Sequence, residues 1–165
     1  MKYMLSILIY VAAIFPDGTW GETRFSTVTA ALVEDHFVHD LGCHWRGSLT
    51  RKMCILRETG GSLELDLDQS GNKIEAVELI ALVLDSKGRQ AREVKSRNIS
   101  LRIVAYFFPD WKERVKWMDI ALSGARHEGS YSTITVERQR IVARWLQPAD
   151  LDDTFVDITI EIVQS

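Results

Sequence analysis

Cysteine is scarce in this chain: Cys43 and Cys54 are the only two in 165 residues. The three prolines and ten glycines never gather into a linker or low-complexity tract, and no internal repeat is visible. No Gly-x-Ser-x-Gly elbow is present for a serine nucleophile, and no Gly-Lys-Ser/Thr loop for a nucleotide phosphate. Basic residues are not in excess. The net charge is −3, without the positive balance of a nucleic-acid binder, so no nucleic-acid partner is implied. What remains is an ordinary globular composition, 46% hydrophobic and 26% charged. A chain of this length folds as one domain and buries about two-thirds of its unfolded surface without needing a metal to hold a core.

Long apolar runs are also few. Met4 to Phe15 is mostly apolar, follows Lys2, and gives way to polar residues at Pro16-Asp17-Gly18. As a helix that run rises about 18 Å, short of the roughly 30 Å of a bilayer core. This is the form of a secretory signal peptide. Thr19 and Gly21 are small enough to permit cleavage before Glu22. The expected organisation is a cleavable signal over residues 1–21 and a single domain over residues 22–165, periplasmic or secreted, with no stable membrane span once the leader is gone.

Within that domain, Ser26 is placed to cap a helix reaching Leu41, with Gly42 as its stop. A strand is expected over Ser48–Glu58, with Met53 and Ile55 on one face and Cys54 and Leu56 on the other. Leu63 to Asp68 alternates strictly, and Ile74 to Leu84 is rich in β-branched and aliphatic residues, which suits a central strand although a helix also fits. A basic stretch leads into a helix over Ile99–Phe107, broken at Pro109. The next helix carries a stripe of Trp111, Val115, Met118, Leu122 and Ala125. The five tryptophans read most simply as core or core-edge anchors, and Trp117, which falls off that stripe, is open to the alternative of an exposed contact. One strand bent near Arg138–Arg140 fills Tyr131–Leu146, and another runs over Phe155–Val163. The order α-βββ-αα-ββ predicts an α+β fold, an antiparallel five-stranded sheet with helices packed on one face.

Three groups of residues suggest chemistry. His36, His39, Cys43 and His44 fall within nine positions, and imidazole with thiolate suits zinc or copper. Structural zinc closes with four ligands, however, and no second spaced pair follows. Asp66-x-Asp68-x-Ser70-Gly71 matches the opening of a calcium loop, but the position of the bidentate glutamate is Val77, so a hairpin turn is the simpler reading. Third, Glu58, Glu64, Asp66, Asp68, Glu75 and Glu78 form an acidic segment, and Lys87, Arg89, Arg92, Lys95, Arg97 and Arg102 a basic one. The simplest expectation is a solvated face whose halves neutralise each other; the other is a partner surface.

No catalytic residue and no cofactor are indicated. The sequence points to a non-catalytic domain binding an unidentified protein or envelope component. The alternative is a metal-binding protein or metal-dependent hydrolase using the His36–His44 region. In an oxidising compartment Cys43 and Cys54 are expected to pair as a disulfide, which denies Cys43 to a metal.

Overall fold

Alternating residues build the sheet. The computed structural model describes residues 24–57, 59–84, 89–124, 131–146 and 153–162; the expected signal peptide, residues 1–21, lies outside them. Its strands are β1 (Trp45–Gly47), β2 (Arg51–Ile55), β3 (Ser62–Leu67), β4 (Ile74–Leu84), β5 (Tyr131–Val136), β6 (Gln139–Leu146) and β7 (Asp153–Ile162). β1 to β4 form a four-stranded antiparallel meander, and β5 and β6 form a separate two-stranded hairpin. β7 lies between them, pairing with β4 and with β6, so the full order is β1-β2-β3-β4-β7-β6-β5.

The fold is α+β, but the expected single five-stranded sheet is corrected in two places. β1 is only three residues long, too short for alternation to reveal it, and β2 is correspondingly shorter than expected. The segment Tyr131–Leu146 is two strands, not one bent strand. Glu137 (φ 52°) and Arg138 (φ 71°) take left-handed backbone angles and reverse the chain between the paired residues Val136 and Gln139. The slip in alternation that suggests a bulge is this tight turn. Its sequence lacks the Asn-Gly or Asp-Gly that marks such turns.

Four helical segments accompany the sheet: α1 (Arg24–Thr27), α2 (Ala30–Leu41), α3 (Arg89–Phe107) and α4 (Arg114–Gly124). Ser26 lies inside the single turn of α1, and Thr29 occupies the cap position of α2 in extended conformation. Bridging to Lys73 fixes Thr29 there, while the Ala30 N–H donates to the Asn72 carbonyl (2.9 Å). The far end of α2 follows expectation. Gly42 turns left-handed (φ 65°), and the Cys43 N–H donates back to the Phe37 carbonyl.

α3 begins ten residues before the expected Ile99, which leaves Asn98 exposed in mid-helix. In α4 Met118 and Ala121 are buried, whereas Val115 of the expected stripe is exposed. Trp117 is partly buried against Trp111, ring centroids 5.7 Å apart, a core-edge anchor and not the alternative exposed contact.

The helices cover one face of the sheet. Leu63, Leu65 and Leu67 of β3, Val77 and Leu79 of β4, and Ile141 and Ala143 of β6 meet Val33 and Phe37 of α2, Ile99, Ile103 and Phe107 of α3, and Met118 of α4 in a single cluster. Each such aliphatic or aromatic side chain contributes roughly 1.5–3 kcal/mol on full burial. Phe25, Phe37, Tyr106 and Phe107 tilt against one another within it. Ion pairs fasten the helices outside: Arg102 donates to Asp40 across α2 and α3, and Arg97 to Asp119 across α3 and α4. The bond from Arg97 holds the Asp119 carboxyl below the usual carboxylate range.

Candidate binding face

Side chains alternate across a strand, so the face opposite the helices is specified by the residues between the core positions. Register assembles them into three rows. One row runs Arg51, Asp66, Ala76, then Glu161 of β7, then Arg140 and Thr135. The second runs Met53, Glu64, Glu78, Thr159, Val142 and Thr133. The third runs Ile55, Ser62, Ile80, Asp157, Arg144 and Tyr131. Among the described residues no helix packs on these rows, and Met53, Ile55 and Tyr131 are exposed there.

The middle of the face is acidic. Glu64 and Glu78 stand directly opposite each other on β3 and β4, an arrangement that disfavours strand pairing between like charges. Arg51 answers part of that charge. Its Nε donates to Glu64 Oε2 (3.0 Å) and it lies 3.7 Å from Asp66, while Ser62 Oγ donates to Glu64 Oε1 (3.2 Å). The bond to Glu64, helped by the fields of Glu64, Asp66 and Glu78, raises the Arg51 guanidinium further above its ordinary range.

Among the described residues, the acidic and basic segments of the sequence fall largely on different layers. The acids Glu64, Asp66 and Glu78 lie on the uncovered face, and the basic residues from Arg89 to Arg102 belong to α3, which packs on the covered side. Arg97 and Arg102 pair with Asp119 and Asp40 of the neighbouring helices instead. Sequence order hid this because a strand and the helix after it lie close in the chain yet on different layers.

The His36–His44 residues are not gathered to a point. His36 stacks on Tyr106 (centroids 4.1 Å apart), and exposed His39 donates through Nδ1 to the Asp35 carbonyl (2.9 Å). His44 is exposed beyond the helix, and Cys43 turns inward to Cys54. Among the described residues no group of three His, Cys, Asp or Glu side chains is arranged to hold a metal ion. Cys43 and Cys54 are buried with Cα atoms 5.4 Å apart, a distance compatible with a disulfide.

The Asp66–Gly71 segment is divided between two tasks. Asp66 belongs to β3 beside Arg51, while Asp68 accepts the backbone N–H groups of Asn72 (3.0 Å) and Lys73 (3.1 Å) and the Ser70 hydroxyl (2.9 Å). The bond from Lys73, followed by that from Ser70, lowers the Asp68 carboxyl below its usual range. It is the internal brace of a hairpin turn, as the alternation of β3 suggests. Among the described residues no helix is long and apolar enough to cross a membrane. No protein-family model matches the chain, and no curated protein or solved structure is significantly similar to it.

Proposed function

We propose that this chain is an exported, non-catalytic domain that binds a protein or envelope component through the uncovered face of its sheet. The observation carrying the reading is the opposition of Glu64 and Glu78 at the centre of that face. Like charges placed across from each other work against the sheet. A local arrangement that opposes the fold is where a functional site is sought first. Those carboxylates, edged by the exposed apolar side chains of Met53 and Ile55, suit a partner that brings positive charge and some apolar surface. Export rests on the leader-like residues 1–21 and on a cysteine pair that suits an oxidising compartment.

The test pairs envelope extracts with immobilised wild-type chain and a Glu64→Lys, Glu78→Lys variant of unchanged circular dichroism. A component retained by the wild type and lost from the variant, with capture weakened by salt, supports the reading. Equal capture by both proteins overturns it. Near-stoichiometric zinc in the purified chain, lost on His36→Ala and His39→Ala, would replace it with the metal-handling alternative. N-terminal sequencing of the native protein should start near Glu22; a chain retaining Met1 in the cytoplasm would remove the export part.

A further inference from the structure

The strand at the free end of the β5–β6 hairpin is built to pair again. β5 reads Tyr131-Ser132-Thr133-Ile134-Thr135-Val136, six residues with no charge, no proline and no glycine. Among the described residues no strand pairs with its outer edge. Exposed edges of this kind template further strand pairing unless charge, proline, bulges or shortness blunt them.

Hairpin geometry identifies which backbone groups are on offer. A two-residue turn closes on a hydrogen-bonded pair, here Val136 and Gln139, and bonded and non-bonded pairs then alternate. Ile134 and Ser132 therefore bond inward to β6. Tyr131, Thr133 and Thr135 direct their N–H and C=O groups outward, and all three side chains are exposed. These outward positions are symmetric about Thr133.

We infer that β5 pairs antiparallel with β5 of a second copy of this chain, centred on Thr133 opposite Thr133. In that register Tyr131 stands opposite Thr135 of the other copy and the reverse, so every outward backbone group of both strands finds a partner. Charge favours this occupant: the strand is neutral, so two copies meet without opposing like charges. The cross-strand pairs are then Thr with Thr and Tyr with Thr, hydroxyl and aromatic–β-branched combinations that stabilise sheets. α4, the helix that packs on this hairpin, adds exposed Ile120 and Val115 at the same end of the molecule. The two-fold axis runs perpendicular to the sheet, which closes the assembly at two copies. It also sets both uncovered faces on one side of a continuous sheet. This association does not depend on which partner that face binds.

Sedimentation equilibrium of the purified chain without reductant should give twice the chain mass at micromolar concentrations. Thr133→Lys sets two ammonium groups opposite each other, and Thr133→Pro removes the central outward N–H at an edge position where proline is tolerated. Either change should raise the dissociation constant at least about tenfold, or 1.4 kcal/mol, with circular dichroism unchanged for at least one of them. Glu64→Lys, Glu78→Lys should leave the dimer intact, which separates this association from partner binding on the face. A wild-type chain that sediments as a monomer overturns the proposal. So does a dimer that survives both Thr133 substitutions.

Discussion

At one end of the sheet β1 is three residues long, carries Arg46, and stops at Gly47 with φ 136°. At the other end β5 is six residues long and uncharged. The first edge is also tied down from behind. Trp45 lies opposite Cys54, its Nε1 donates to the Glu34 carbonyl of α2 (3.0 Å), and Cys43 at the end of α2 reaches Cys54 in β2. The second edge is held by its hairpin partner, by α4 behind it, and by a turn of two non-glycine residues at positive φ. Natural sheets protect edges by shortness, charge and distortion, and only β1 shows those devices. Among the described residues, the sheet is finished at β1 and open to extension at β5.

The largest test of that contrast is removal of the staple at the closed edge. Cys43 and Cys54 are eleven positions apart, and in the chain-entropy account a loop of that size stabilises by about 3 kcal/mol. Cys43→Ala, Cys54→Ala should lower stability to chemical denaturation by about that amount and loosen β1 first. Alkylation of the wild-type chain under denaturing, non-reducing conditions should label no thiol. Two labelled thiols would remove the bridge from the account and return Cys43 to the metal-ligand candidates.

Gly47→Ala should come next. A Cβ added there falls 2.1 Å from the Arg51 carbonyl oxygen, a backbone atom that moves only with the β1–β2 turn. The positive φ adds strain, so a loss of about 2 kcal/mol is expected. Hydrogen exchange should show it as lost protection in β1 and β2, with β5 and β6 unaffected. Equal loosening at both ends would mean that the two edges are not independent.

The closed half of the molecule was the more legible. Leu63, Leu65 and Leu67 alternate with Ser62, Glu64 and Asp66 in the sequence as they do between core and uncovered face, and the run from Ile74 to Leu84 is the central strand it resembles. The cysteines likewise stand where a helix end and the next strand suggest. The rest was obscured by local chemistry. The first half of α3 buries Ser96, with Ser100 one turn further on, so its inward face offers no apolar stripe until Ile99 and Ile103. The β5–β6 reversal uses Glu137 and Arg138 where asparagine and glycine are the usual signal. The acidic residues of the uncovered face were visible, but not their opposition across β3 and β4, because register is a property of paired strands. Tertiary pairing, which no single segment encodes, made the difference.

The smallest expected effect lies in that β5–β6 turn. Glu137 is partly buried, and this burial, followed by the field of Asp110, raises its carboxyl above the ordinary range. The folded state thus holds the proton more tightly than the unfolded chain does. Above the folded pKa the ionised carboxylate weighs against folding. As pH falls through that value toward the ordinary carboxylate pKa, protonation relieves the cost. Glu137→Gln keeps the shape without the charge, so it should stabilise the chain at neutral pH by a fraction of a kcal/mol, since solvent screens much of the interaction. The gain should shrink on acidification and vanish below the ordinary carboxylate range. Denaturation of both proteins across that window measures it, and Asp110→Asn should reproduce the smaller part of the gain. A Glu137→Gln protein less stable at neutral pH would show that the carboxylate braces the turn, leaving the open edge better secured than its sequence suggests.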